Sequence, residues 1–239
     1  MEFKKVMVLI PTYNEKDSIE NIIFQIFNHN PGFFVTVIDD NSSDGTGQLV
    51  DRLKETFKNL YIIHRNGKLG LGTAYIEGFK YAISQGMDFV IQMDADFSHD
   101  PKYLADMLKE TEYSDVVIGS RYVNGVRVDN WPFRRLLLSK IANIYVRMVT
   151  GIPIEDATSG FKCIKTQAIR SLDLDKIISN GYAFQVEVVF KLFRKGFKIK
   201  EFPIVFYERE QGRSKMSRKI VFEAVWKVLW LKLSSFFIK

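Results

Sequence analysis

One cysteine, Cys163, stands in 239 residues, so no disulfide can close within the chain and a reducing compartment suits it. The sequence has no run of 18 or more uncharged apolar residues, which leaves nothing long enough for a helical membrane span. Internal repeats, low-complexity tracts and flexible linkers are missing as well, which argues against repeat arrays and tethered domains. Only three histidines occur (His29, His64 and His99), without metal-ligand spacing, and none is expected to bind a metal. The opening MEFKKVMVLIPTYNE carries an apolar run that Pro11 stops, too short for a signal peptide. It is expected to be a first strand.

What is there belongs to a folded protein. Hydrophobic residues make up 46% and charged residues 26% of the chain, enough for one sizeable core. A mean hydropathy of −0.06 fits neither a disordered nor an integral membrane chain. The net charge of +6 points to an anionic partner: nucleic acid, nucleotide, phospholipid or lipid phosphate.

Short apolar runs alternate with helical patterns. KVMVLIP, FFVTVIDD, NLYIIHR, DFVIQMDAD and DVVIGSRY read as strands, each but the last followed directly by apolar residues at three-to-four spacing. That rhythm predicts βαβ units, hence an α/β fold with a doubly wound, mostly parallel sheet in one domain over residues 1–219. A helix with Leu137, Ile141, Ile144 and Met148 along one seam, a short strand after DATSGF, another helix and an outer strand in KIKEFPIVFYER are expected beyond it. Residues 220–239 are predicted to form a basic, amphipathic, Trp-bearing helix suited to an anionic membrane surface.

Ligands of such sheets bind beyond the carboxyl ends of the strands. There lie Thr12 to Glu15, Asp39 and Asp40, Asp94 and Asp96, and Arg121. Asp94 and Asp96, one residue apart after an apolar run, repel each other unless they share a cation, and their hard oxygens suit Mg²⁺ or Mn²⁺. Asp39 and Asp40 are placed to accept hydrogen bonds from a base or ribose. VIDDNSSDGTG matches the opening of a calcium loop, but a β-branched run precedes it instead of a helix, which excludes that reading. GKLGLGTAY lacks the third glycine of a dinucleotide fingerprint and follows the third strand, so a Rossmann dehydrogenase is not expected. Asp156 and Ser159 either shape an acceptor site or form a turn before Gly160.

In order along the chain, IPTYNE, IDDNSSDGT, GLGTAYIEGF, MDADFSHDP, IGSRY, the Asn130–Lys140 spacing, DATSGF and GRSK follow the pattern of family 2 glycosyltransferases. Within that family the chain most resembles the dolichyl-phosphate mannose synthases. The resemblance implies a glycosyltransferase A fold and a nucleotide-sugar donor. Pro11, Tyr13, Glu15, Ile38 and Asp40 would line the nucleobase and ribose pocket. Asp94, Ala95 and Asp96 would meet the diphosphate and sugar, with Asp96 the principal metal ligand. Ser98 stands where some relatives place a glutamine ligand. Arg121, Arg135 and Ser139 would hold the acceptor's phosphate, with Arg134 and Lys140 nearby, and Arg209 and Lys215 would close over the donor diphosphate.

Transfer chemistry asks for the same groups. A departing diphosphate needs a metal or cations to stabilise it. A lipid monophosphate is already an anionic nucleophile, so it needs a cationic clamp more than a base. Asp96, Arg121 and Arg135 are therefore the expected catalytic residues, acting in one displacement with inversion. The resemblance implies mannose transfer from GDP-mannose to dolichyl (polyprenyl) phosphate at the cytoplasmic membrane face, by a peripheral enzyme that a small membrane-anchoring partner could assist. UDP-glucose as donor and a catalytically silent nucleotide-sugar-binding subunit remain alternatives. Nucleic acid is not expected as a partner, since neither a recognised binding fold nor stacking aromatics on a basic face are present.

Overall fold

From Val6 to Ile10 every residue of the first strand is 0% exposed, as a strand covered on both faces requires. In the computed structural model, which describes residues 4–129, 131–207 and 218–234, this strand is β1 (Val6–Thr12). The others are β2 (Phe34–Asp39), β3 (Leu60–His64), β4 (Phe89–Gln92), β5 (Val116–Ser120), β6 (Lys162–Lys165) and β7 (Ile199–Pro203). They form one sheet in the order β3-β2-β1-β4-β6-β5-β7. All neighbours are parallel except β6, which runs antiparallel to β4 and β5.

The period of two along each strand sorts side chains into two layers. Met7, Leu9, Val90 and Ile118 face a core shared with α3 (Leu71–Ser84), α5 (Phe133–Thr150), α6 (Thr166–Arg170), α7 (Gly181–Arg194) and α8 (Arg218–Ser234). Val8, Ile10, Ile91 and Val117 face α1 (Lys16–His29), α2 (Thr46–Leu53) and α4 (Leu104–Glu110). The glycines of GLGTAYIEGF serve this packing. A Cβ at Gly72 would stand 2.5 Å from the Ser179 carbonyl oxygen, and one at Gly78 would stand 2.7 Å from Leu9 Cδ1.

The doubly wound expectation holds, and the strand order turns back at β1, with β2 on one side of it and β4 on the other. Their carboxyl ends therefore open the crevice where such sheets bind ligands. At the start of α2, Gly45 holds the N-cap position with φ 93°, and the Asp44 carboxylate accepts from the Thr46 backbone at 2.9 Å. The C-terminal helix spans Arg218–Ser234. Among its described side chains, residues 225–234, Val228 and Leu231 pack inward, while Val225, Trp226, Leu229, Trp230 and Leu233 face out. An outer face carrying such residues is suited to something other than water. Among the described residues no helix is long and apolar enough to cross a membrane.

Candidate active site

Three loops leave the carboxyl ends of β1, β2 and β4, and each contains a non-glycine residue in left-handed conformation: Asn14 (φ 59°), Asn41 (φ 57°) and Phe97 (φ 62°). Such strain is held only where neighbours over-determine it, and it gathers at working sites. Here the first two loops lock together. Asn14 Oδ1 accepts from the Ser43 backbone at 2.9 Å, and the Asn14 backbone donates to Ser42 Oγ at 2.9 Å. Thr12 donates to Asp39 Oδ1 at 2.8 Å, and Ser42 donates to the same carboxylate. Asp39 is thus a loop organiser.

Pro11, Tyr13 and Glu15 are half-buried along this crevice, and the Lys68 ammonium lies 3.7 Å from the centroid of the Tyr13 ring. Asp40 is buried and ion-paired with Arg65, and it accepts from the Gly70 backbone at 2.9 Å. Arg65 in turn reaches Thr73 at 2.7 Å, with the Glu77 carboxylate 3.0 Å from Nε. Asp40 therefore fixes the start of α3. Sequence reasoning missed Arg65; its position just beyond β3, beside the end of β2, was the available signal. Ile38 is fully buried beneath α3, against Gly78, so its backbone is what faces the loops.

At the end of β4, Asp94 is half-buried, while Ala95, Asp96 and Ser98 are buried. The Ser98 backbone donates to Asp96 Oδ1 at 3.1 Å, and its hydroxyl donates to the same oxygen. Ser98 thus braces the carboxylate. The oxygen-only set of Asp94, Asp96 and Ser98 suits a hard divalent cation. No group of three His, Cys, Asp or Glu side chains is gathered to enclose a metal among the described residues. A cation here would complete its shell with substrate oxygens and water. His99 Nδ1 accepts from the Asp94 backbone at 3.0 Å, and its ring stacks on Phe161 at 4.8 Å. Burial, with the Arg121 and Lys162 charges, lowers its pKa to about 3, so it stays neutral.

Beneath Asp94 lies Lys162, fully buried, donating to the Ser159 carbonyl and, at 2.6 Å, to Gln185 Oε1. Burial lowers its pKa to about 7, against the attraction of Asp156 and Asp94. The unfolded chain then binds more protons than the native one between pH 7 and 10.5, so Lys162 makes stability rise with pH across that window. Urea melts at pH 7 and pH 9 are expected to show this gain, of a few kcal/mol at most, and Lys162→Met should abolish it.

The corner beyond β5 is cationic and aromatic. Arg121, 5% exposed, donates from Nε and Nη2 to Asp156 at 2.7 and 2.6 Å and from Nη2 to Thr158 at 2.9 Å. Burial would push the Asp156 carboxyl up, but the Arg121 charge and hydrogen bonds hold it below the usual range. Glu201 of β7 receives the Glu155 and Asp156 backbone N–H groups at 2.8 and 2.9 Å. The Trp131 ring lies 5.3 Å from the Arg121 guanidinium carbon and 4.1 Å from that of Arg135. Ser139 accepts from the Tyr122 hydroxyl at 2.6 Å. The structure thus brings Arg121, Arg135 and Ser139 into one corner, with Arg121 already tied to Asp156. Arg209 and Lys215 lie outside the described residues.

A mostly parallel α/β sheet with carboxylates at the β1, β2 and β4 ends and a basic aromatic corner after β5 has the architecture of A-type glycosyltransferases. A family model described as Glycosyl transferase family 2 matches residues 7–173, and the chain belongs to that family. It is 40% identical over 227 residues to a polyprenol monophosphomannose synthase of Mycolicibacterium smegmatis, covering 94% of this chain and 86% of the relative. It is 42% identical over 221 residues to an undecaprenyl-phosphate mannosyltransferase of Micrococcus luteus, covering 92% and 91%. Glucosyl-3-phosphoglycerate synthase of Mycobacterium tuberculosis, solved with Mn²⁺, UDP and glucosyl-3-phosphoglycerate, superposes with a TM-score of 0.67 over 97% of this chain and 79% of that one. At 17% identity that likeness concerns the fold alone.

Proposed function

We propose that the chain transfers mannose from GDP-mannose to the phosphate of a polyprenyl (dolichyl-type) lipid. The observation that carries this reading is the pair of mannosyl-lipid-forming relatives at 40% and 42% identity across more than nine-tenths of the chain. In the reaction, an oxygen of the lipid phosphate attacks the anomeric carbon. The bond from that carbon to the donor's diphosphate breaks, GDP leaves with the electron pair, and the configuration inverts.

Tyr13, Glu15 and the locked loops after β1 and β2 would orient the nucleoside, and Asp94, Ala95 and Asp96 its diphosphate and sugar. Asp94 and Asp96, braced by Ser98, would hold Mg²⁺ or Mn²⁺, which when bound neutralises charge on the departing diphosphate. Arg135 and Ser139 would hold the acceptor phosphate, with Arg121 contributing the guanidinium edge that Asp156 and Thr158 leave. Arg209 and Lys215 would close over the donor.

Calorimetric titration with GDP-mannose and UDP-glucose, each with and without Mn²⁺, tests the donor. Metal-dependent binding of the GDP sugar, followed by transfer to polyprenyl phosphate, is the expected result. Preference for UDP-glucose would change the product to a glucosyl lipid, binding without turnover would favour a silent subunit, and binding of neither would overturn the reading.

The acceptor resides in a bilayer, and we place the enzyme on the cytoplasmic membrane face as a peripheral protein, with room for a small anchoring partner. Supporting this, the outward faces of α5 and α8 are apolar: Phe133, Leu137, Ile141 and Met148 on one, Trp226 and Trp230 on the other. Replacing Trp226 and Trp230 together by serine is expected to weaken vesicle pelleting by on the order of tenfold. Equal pelleting of variant and wild type would remove α8 from the membrane contact.

A further inference from the structure

On the flank of α5 turned away from Arg135 a cavity of about 160 Å³ opens, lined by Tyr122, Lys140, Asn143, Ile144, Arg147, Ile154 and Glu155. It is small beside the roughly 300–1,000 Å³ of sites that enclose whole drug-sized ligands, so it has room for a head group and not a nucleotide sugar. Lys140 and Arg147 are two helical turns apart and share one face, with Ile144 between them. Among the described residues neither is ion-paired: Lys140 rests over the Tyr122 ring at 5.1 Å, and no salt bridge joins Lys140 or Arg147 to the Glu155 carboxylate that also lines the notch. Asn143 is already used, donating to the Ser139 carbonyl at 3.1 Å and to Thr158 at 3.1 Å. Two cations that no described acid ion-pairs, against the single carboxylate of Glu155, therefore line one small notch.

The notch borders the exposed apolar stripe of α5. Ile144 belongs to both, and Ile141 and Met148 flank it, 54% and 79% exposed. Cations along the edge of such a stripe extend their charge to the level of lipid phosphates while their stems stay on apolar surface. A phosphate seated between Lys140 and Arg147 would leave its acyl chains running along Ile141, Ile144 and Met148. We infer that this notch binds the phosphodiester head group of an anionic phospholipid, as a second lipid site distinct from the acceptor corner. The inference rests on the membrane-facing part of the proposed function but not on the identity of the donor. Tyr122 is the wall between the two sites, with its hydroxyl on Ser139 and its ring under Lys140.

The test titrates the whole chain with dihexanoyl phosphatidylglycerol below its micelle concentration, and separately with inorganic phosphate. Wild type is compared with Lys140→Met/Arg147→Met, which keeps the apolar stems. One saturable site for the lipid is expected, tighter than for phosphate. The double variant should lose about thirtyfold in affinity, about fivefold for each cation near an anionic group. Its thermal midpoint and its affinity for the donor sugar nucleotide should be unchanged. Equal affinity for phosphate and lipid would overturn the lipid assignment, and lipid binding insensitive to the double variant would overturn the site. Loss of donor binding in wild type would count against the proposed function and leave the notch result standing.

Discussion

Asp156→Ala is expected to cost about 3–5 kcal/mol of stability, because it leaves the Arg121 guanidinium buried without its counterion. Three hydrogen bonds from Arg121 end on this one carboxylate, two from the guanidinium and one from the backbone. Urea denaturation measures the loss. Replacing both partners by apolar residues of similar size, as in Arg121→Met/Asp156→Leu, should recover most of it, since neither charge is then stranded. The double variant also separates two roles of Arg121. Restored stability with transfer still reduced by about a hundredfold or more would assign it to the acceptor phosphate as well as to the fold. Restored stability with full transfer would leave it a structural residue. Asp156 itself favours folding above the ordinary carboxylate range, and that contribution is lost as pH falls through its lowered pKa.

Asp96→Ala is expected to reduce transfer by about a thousandfold or more while leaving the chain folded, because it removes a carboxylate placed to hold a cation at the departing diphosphate. Asp96 accepts from the Ser98 backbone and hydroxyl, each such bond being worth about 1 kcal/mol, so thermal melts of the variant accompany the assay to separate lost chemistry from lost fold. Ser98→Ala should act in the same direction and less, since it removes the brace and keeps the carboxylate. Near-normal turnover of folded Asp96→Ala protein would refute the metal role.

The parallel strands and their helices were legible because each is long enough to display its period. Fully apolar runs such as Val6–Ile10 can only be strands buried on both faces, and Ile19, Ile22, Ile23 and Ile26 can only share one face of a helix. The direction of β6 was not legible: four residues, buried for three of them, carry no mark of which way they run. The positions of the site residues at strand ends followed from the alternation, but their partners did not. No pattern in the sequence names the carboxylate that Arg121 pairs with; it is Asp156, brought near by the β5–β6 ladder. Asp39 and Asp40, expected to meet a base or ribose, also accept from Thr12, Ser42, Arg65 and Gly70, internal partners that neither pattern nor spacing reveals. The tryptophans of α8 were legible in the sequence, but which side they take was not: Trp226 and Trp230 face outward while Val228 and Leu231 pack inward.

The reversed strand β6 also governs when this protein can become an enzyme. It lies between β4 and β5, so until residues 162–165 pair, β4 lacks its second neighbour and β5 its link to the rest of the sheet. A nascent chain that has emerged only as far as α5 can pair β1, β2, β3 and β4, yet its reactive carboxylates sit on an open edge. Insertion of β6 closes that edge and brings Gly160 beneath Asp94, where an added Cβ would stand 3.4 Å from Oδ2. The same motion delivers Asp156 to Arg121. Residues 162–165 must thus be made before Asp94 and Asp96 acquire their floor, and a ribosome-bound chain holds the pieces of the site before it holds the site.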